Sequence, residues 1–136
     1  MKIKVFFKTS FLLFLMLSFT SLVYANVNSF NSSYDIRHGS AGYGTLDSRT
    51  FELSTNNRSV SITLSPTQVS NGTLWAGLRR QGLLGVWSWQ GQTQEFSNDS
   101  RTTRTFRGGN SGTHRIRIIS YGYWGVNARG SVSVSW

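Results

Sequence analysis

The sequence has no cysteine, one proline, and no lysine beyond residue 8. Without cysteine there can be no disulfide, no thiol chemistry and no metal site built on thiolates. A small domain without disulfides depends on packing for its stability, which favours a closed or double-layered β structure. Acidic residues are also few, five in 136, so the chain is strongly basic.

The first 25 residues have the regions of a secretory signal peptide. Lys2, Lys4 and Lys8 give a positive start, Phe11–Leu17 is apolar, and a small-x-small pattern ends at Ala25. We therefore predict export from the cell and cleavage after Ala25. The alternative is a retained membrane anchor, which the polar sequence after the cleavage pattern disfavours.

The chain from Asn26 onward has the size and charge of one basic domain. It contains eleven basic residues, all arginine, and five acidic ones, so its net charge is +6 with histidine counted as neutral. This length is enough to bury a core but too short for two domains.

Alternating polar and apolar residues predict β-strands throughout residues 41–136. Ile116 and Ile118 fall on one face of a strand, Arg115 and Arg117 on the other, and a similar alternation ends at Trp136. Such segments recur about every 8–12 residues between glycine and asparagine turns, and no stretch has helical spacing.

We therefore predict an all-β fold: a single antiparallel β-sandwich, jelly-roll-like, of about seven to eight short strands. Pro66 is expected just after a strand, where it ends pairing. The polar residues 26–40 are predicted to be a leader that is either mobile or an edge strand.

Several of these segments resemble strands of a known family. Phe51–Leu53, Ser59–Leu64, Leu74–Leu78, Ser111–Ile118 and Gly130–Val134 look like successive strands of bacterial pre-peptidase C-terminal-type domains. The resemblance implies a small secreted jelly-roll-like sandwich with a non-catalytic accessory or binding role. The acidic clusters by which some of those relatives bind calcium are absent here.

No catalytic or metal-binding motif is present. The chain lacks a Gly-x-Ser-x-Gly elbow, a His-x-x-x-His pair and a phosphate loop. We predict a protein that is not an enzyme and has no metal or other cofactor. His114 lies on the apolar face of its strand and is expected to be satisfied by a backbone partner, and His38 to be a solvated loop residue.

One enzymatic alternative is a small basic ribonuclease. Arg104, Arg115 and Arg117 would hold phosphate while Glu95 and His114 exchange protons. Such enzymes usually pack a helix on their sheet, and no helix is predicted here, so this alternative is disfavoured.

Arginines are the first candidates for a ligand-binding site. Their planar guanidinium groups pair bidentately with phosphate or carboxylate. We predict that Arg101, Arg104, Arg107, Arg115 and Arg117 bind an anionic partner outside the cell. The partner would be a cell-wall polymer, a polysaccharide or a membrane surface, with nucleic acid less favoured. The alternative is that these arginines only solubilise the sandwich and guard its edges.

Aromatic residues are the second candidates. Tyr121, Tyr123 and Trp124, flanked by Gly122 and Gly125, predict an exposed loop whose rings stack on sugars or enter a membrane interface. The alternative is a loop that folds back as a lid over one end of the sandwich.

The remaining tryptophans are predicted to divide between core and surface. Trp136 and one of two groups, Trp75 or the pair Trp87 and Trp89, are expected to fill the core, because a small domain needs large side chains there.

Together these features predict a secreted, non-enzymatic protein that binds an anionic or carbohydrate component of a cell envelope. The alternative is a secreted cationic antimicrobial or toxin-like protein that acts on membranes. The sequence leaves the oligomeric state open.

Overall fold

Ten β-strands and one short 3-10 turn form the part of the chain that the structure describes, residues 28–37, 42–70, 72–122 and 127–136 of a computed structural model. The elements are β1 Ser29–Arg37, β2 Tyr43–Asp47, β3 Phe51–Leu53, β4 Arg58–Val69, β5 Gly72–Gln81, the 3-10 turn Leu83–Gly85, β6 Trp87–Trp89, β7 Gln94–Phe96, β8 Thr102–Gly109, β9 Gly112–Gly122 and β10 Asn127–Ser135.

The strands form two antiparallel sheets that pack face to face. One sheet has four strands in the order β1-β10-β4-β8. The other has six, in the order β2-β9-β5-β6, with β3 also pairing with β9 and β7 with β5. This arrangement confirms the predicted all-β antiparallel sandwich, although the described residues form ten strands rather than seven to eight.

The core lies between the sheets and is aliphatic and phenylalanine-rich. In each long strand the inward positions alternate with outward ones, as the sequence pattern predicts. The four-stranded sheet contributes Phe30, Tyr34, Ile36, Val60, Ile62, Leu64, Phe106, Ala128, Val132 and Val134, and the six-stranded sheet contributes Phe51, Leu53, Leu74, Ala76, Leu78, Phe96, Ile116 and Ile118.

The segment predicted to be either a mobile leader or an edge strand contains β1, the edge strand of the four-stranded sheet. It pairs with β10 along its whole length. Phe30, Tyr34 and Ile36 are buried in the core, so this segment contributes to the sandwich. Its asparagine and serine residues are exposed, which is why its composition looked like that of a leader.

Pro66 does not end the strand as expected. β4 continues to Val69, and Pro66 is paired with Gly130 of β10, next to a register shift between Arg129 and Gly130. The pairing of β4 with β8 stops at Leu64, so beyond that point β4 has only one neighbour. A proline is tolerated at such an edge and bulge.

Some sequence predictions concern residues outside the described ranges. They include the signal peptide with its cleavage site at Ala25, the loop residue His38, and the aromatic residues Tyr123 and Trp124. Within the ranges that are described, no helix has the length and apolar character needed to cross a membrane.

Candidate ligand-binding face

The candidate site lies on the outer face of the six-stranded sheet, meaning the side that points away from the core. Residues directly opposite each other in antiparallel strands share a face. Arg115 and Arg117 of β9 lie opposite Arg79 and Gly77 of β5. Together with the pairing of β2 with β9 and of β6 with β5, this register brings side chains from four strands together on this face.

Arg115 and Arg117 share one carboxylate, that of Asp47 on β2. Arg117 binds it bidentately, with its Nε 2.6 Å from Oδ1 and its Nη2 2.7 Å from Oδ2. The Nη2 of Arg115 lies 3.0 Å from Oδ2. Because the carboxylate is partly buried, with 23% of its side chain exposed, these contacts fix the position of both arginines.

Two arginines also stack on tryptophans. The guanidinium carbon of Arg115 lies 4.0 Å from the ring centroid of Trp87, and that of Arg79 lies 5.2 Å from the centroid of Trp89. The Nη2 of Arg79 also donates to the carbonyl oxygen of Trp87 at 2.8 Å. These cation–π and hydrogen-bond contacts hold charge and rings in one rigid layer.

Charge interactions on this face shift three pKa values. Burial raises the pKa of Asp47, but the hydrogen bonds and charge of Arg117, helped by Arg115 and Arg79, more than offset it and leave the pKa low. The hydrogen bond to Asp47 raises the pKa of Arg117. Burial and repulsion from Arg117 and Arg115 lower the pKa of Arg79, which still keeps its proton at neutral pH.

An open groove runs beside the arginines. Its larger part has a volume of about 450 Å³ and lies between Trp75, Trp89 and the segment 91–93. A smaller part of about 340 Å³ continues from Trp75 and Thr93 to Thr73 and Tyr121. Trp75 belongs to both parts, so its ring is the centre of the groove.

The floor of the groove depends on Gly77. A Cβ atom at this position would lie 2.6 Å from Cζ3 of Trp89 and 2.9 Å from Cγ2 of Thr93. The ring of Trp89 therefore lies directly over the strand, in space that only glycine leaves free. Gly77 is the residue that allows Trp89 to form a groove wall.

The rings at the other end of the groove contact one another. Trp75 meets Tyr121 edge-on, with centroids 6.3 Å apart, and Tyr121 meets Tyr43 at 6.1 Å. The indole Nε1 of Trp75 donates to Oγ1 of Thr73 at 3.0 Å, which orients the ring. Tyr121 remains 41% exposed and can contact a ligand.

The residues predicted as ligand-binding fall into two groups. Arg115, Arg117 and Tyr121 lie together on the outer face. The other arginines lie in or beside β8, at the edge of the four-stranded sheet: Arg101, Arg104 and Arg107.

Arg104 has a role at that edge. Its Nε donates to the carbonyl oxygen of Glu95 at 3.0 Å and so links β8 to β7 of the other sheet. All three arginines of this group are exposed. None of the three contacts Asp47, the carboxylate that joins Arg115 and Arg117, in any ion pair of the described residues.

Sequence reasoning missed five residues of the outer face: Asp47, Trp75, Arg79, Trp87 and Trp89. The sequence contained part of the information, because Trp75 and Arg79 alternate with apolar core residues in β5 and this alternation places both on the outer face. The prediction that Trp75 or the pair Trp87 and Trp89 fills the core is wrong, since all three rings are on the outer face. The prediction for Trp136 is confirmed, as it packs against the core beside Phe30 and Phe51.

His114 is buried and faces the core, as predicted. Its Nδ1 lies 2.7 Å from the carbonyl oxygen of Gly112, which can only accept, so Nδ1 carries the proton. Burial lowers the pKa of His114, which keeps the ring neutral. The ribonuclease alternative needs this histidine beside Arg115 and Arg117, but the strand directs them to opposite faces. No cluster of three metal-ligating side chains occurs among the described residues.

Replacing Asp47 with asparagine is expected to lower the free energy of unfolding at pH 7 by about 2 kcal/mol. The folded-state pKa of Asp47 is below its ordinary value, so its contribution is present above about pH 4 and is lost as the pH falls further. Urea unfolding of both proteins across this range should therefore show the difference shrinking in acid.

Glu95→Gln is the matched control for that change. Glu95 is exposed and takes part in no ion pair of the described residues, so a change below about 0.5 kcal/mol is expected. A loss in Asp47→Asn that stayed constant down to pH 2 would contradict the ion-pair explanation.

Comparisons with known proteins identify no family. No family model and no curated protein matches the chain. Solved structures that are similar include PirA, with 16% identity, coverage of 84% of this chain and 97% of that chain, and a TM-score of 0.46. The Yersinia pseudotuberculosis-derived mitogen has 11% identity, coverage of 81% and 83%, and a TM-score of 0.44.

A third similar structure is the carbohydrate-binding module CBM28, described as specific for non-crystalline cellulose. It has 17% identity, coverage of 75% of this chain and 69% of that chain, and a TM-score of 0.44. At such identities the likeness concerns the fold alone. The resemblance to pre-peptidase C-terminal domains is supported only in a coarser form: the chain is a β-sandwich domain that distantly resembles PirA, the mitogen and the carbohydrate-binding module, and no family is identified.

Proposed function

We propose that the outer face of the six-stranded sheet binds an acidic polysaccharide of a cell envelope, after export directed by residues 1–25. One observation carries this proposal. A groove walled by Trp75 and Trp89 lies beside Arg79, Arg115 and Arg117, and the only carboxylate that these arginines contact among the described residues, Asp47, is shared by Arg115 and Arg117.

The aromatic part of the face suits a sugar chain. Indole rings offer broad apolar surfaces with one polar atom, and binding sites use such rings together with a few well-placed polar groups. The two parts of the groove are open to solvent and share Trp75 and Thr93, so a polymer that crosses Trp75 can contact both parts.

The charged part of the face suits acid groups on that chain. Asp47 neutralises one of three guanidinium charges, and Arg79 takes part in no ion pair of the described residues. The remaining charge is held in place by the stacking on Trp87 and Trp89. Fixed guanidinium groups recognise carboxylate, sulfate or phosphate groups with little loss of side-chain freedom.

The proposal is for binding without catalysis. Among the residues that line the two parts of the groove there is neither a histidine nor a carboxylate. General acid–base chemistry on a bound sugar requires such a group within hydrogen-bonding distance.

The proposal predicts charge-dependent retention on acidic polysaccharides. Binding affinity would be measured for three polysaccharides that carry carboxylate, sulfate or phosphate groups. Each would be compared with a neutral polymer of the same sugar backbone. We expect at least one acidic member to bind more tightly than its neutral partner. Its affinity should fall about tenfold or more between about 50 mM and about 500 mM sodium chloride.

Two matched arginine variants locate the site. Arg79→Gln is expected to weaken binding about fivefold, because it removes a charge beside the groove. Arg107→Gln removes the same charge from β8 and should leave binding unchanged. Equal losses in both variants would place the binding surface elsewhere, and failure to bind any acidic member at low salt would contradict the proposal.

A further inference from the structure

The tip of the hairpin between β5 and β6 exposes three large aliphatic side chains. Leu83 is 92% exposed, Leu84 101% and Val86 65%. Together they form one apolar projection, which we call the aliphatic tip (residues 83–86). The groove does not include any of these residues, so polysaccharide binding on the outer face does not account for them.

The backbone holds this tip in an ordered turn. The amide of Gly82 donates to the carbonyl oxygen of Val86 at 2.7 Å, and Gly85 has a φ of 76°. Leu84 also has a left-handed conformation, with φ 62° and ψ 19°. That conformation is uncommon for leucine, and glycine or asparagine adopts it at lower cost. The side chain of Leu84 gains no burial within the protein in return.

The base of the hairpin carries aromatic and cationic groups. Trp87 and Trp89 follow the tip, and Arg79 and Arg115 stack on their rings. Residues 72–94, which include the whole hairpin, contain two arginines and no acidic residue. An aliphatic end, then tryptophans, then cations is the order of groups that suits the interface of a bilayer with anionic headgroups.

We propose that the aliphatic tip docks this protein on an anionic lipid bilayer by inserting Leu83, Leu84 and Val86 below the headgroups. A protein partner fits less well, because specific protein interfaces bury about 800 Å² on each partner, more than a turn of this size supplies. The docking is peripheral and reversible, and it does not require that the membrane be permeabilised.

A single fluorescent label tests the insertion directly. Since the chain has no cysteine, Leu83→Cys provides a single site for attaching an environment-sensitive dye. Adding vesicles of phosphatidylcholine and phosphatidylglycerol should raise the emission and shift it to the blue. The same dye on Ser100→Cys, in the exposed turn between β7 and β8, should not respond.

Cosedimentation with the same vesicles then tests which residues are needed. The double variant Leu83→Ser, Leu84→Asn should lower the bound fraction about tenfold, since each removed side chain loses its apolar burial in the bilayer. Both positions are exposed and asparagine accepts the left-handed backbone, so thermal unfolding should be unchanged. Vesicles of phosphatidylcholine alone should bind less protein.

Two outcomes would overturn the docking proposal. One is equal sedimentation of the double variant and the unmodified chain. The other is a dye response that grows with protein concentration in the absence of vesicles, since it would make a second copy of the chain the occupant of the tip. Trp75→Ala changes the groove but not the aliphatic tip, so we expect this variant to bind vesicles as the unmodified chain does. Vesicle binding therefore tests the docking proposal separately from the polysaccharide proposal.

Discussion

Replacing Gly130 with alanine is expected to lower the free energy of unfolding by about 3 kcal/mol, because the added methyl group has no space. Its Cβ atom would lie 2.6 Å from the hydroxyl oxygen of Tyr34 and 2.8 Å from Cα of Pro66, and it would also clash with the carbonyl oxygen of Ser65. Two of these three atoms belong to the backbone of β4, and this backbone cannot move away without disturbing its pairing with β10. Urea denaturation monitored by tryptophan fluorescence measures the loss.

The comparison with Gly42→Ala separates this clash from the general effect of adding a methyl group. A Cβ at Gly42 would meet no atom within 4 Å, so its stability should change by less than about 0.5 kcal/mol. Adding Tyr34→Phe to Gly130→Ala should restore only part of the loss, since the backbone contacts remain. Full recovery would show that the hydroxyl group, rather than the bulge backbone, limits the space.

The long strands and the class of fold could be predicted from the sequence because their information is local. Strict alternation from Ile116 to Ile118 and from Val132 to Val134 fixes which side chains face the core. β1 could not be assigned with the same clarity. Its burial depends on three spaced residues among asparagines and serines, and only pairing with β10 makes a strand of that composition favourable.

The outer face was harder to predict because it depends on register between distant segments. Alternation alone places Arg115 and Arg117 on one face, which the structure confirms. Their carboxylate partner Asp47 lies in β2, and the hydrogen bonds between Asp47 and Arg117 join residues that are 70 positions apart in the chain. No local pattern encodes such a pairing.

Volume explains the error over the tryptophans. A small sandwich was expected to need indoles besides that of Trp136 in its core, but the buried residues between the sheets are mostly leucine, isoleucine, valine and phenylalanine, which pack closely across the two layers. With the core filled in this way, Trp75 and Trp89 remain on the surface. Rings that the fold does not need for its core are the ones available to a ligand.

Removing the ring of Trp75 is expected to weaken binding of the acidic polysaccharide tenfold or more, about 1.4 kcal/mol or greater. Trp75 lines both parts of the groove, so its loss opens the centre of the proposed sugar-binding surface. Gly77→Ala is expected to act on the same groove without removing any ring. Its methyl group would displace Trp89 and Thr93, whose contacting atoms belong to side chains that can move outward.

Trp75→Ala tests the composition of the groove, and Gly77→Ala tests its geometry. Gly77→Ala should weaken binding about fivefold while the free energy of unfolding changes by less than about 1 kcal/mol, because no backbone atom blocks the new methyl group. Gly82→Ala in the adjoining turn meets only Val86 at 3.4 Å and should bind normally. Isothermal titration calorimetry with the same polysaccharide gives all four affinities. If Gly77→Ala bound as tightly as the unmodified chain, the position of Trp89 over β5 would have no part in recognition, and the groove between Trp75 and Trp89 would not be the site.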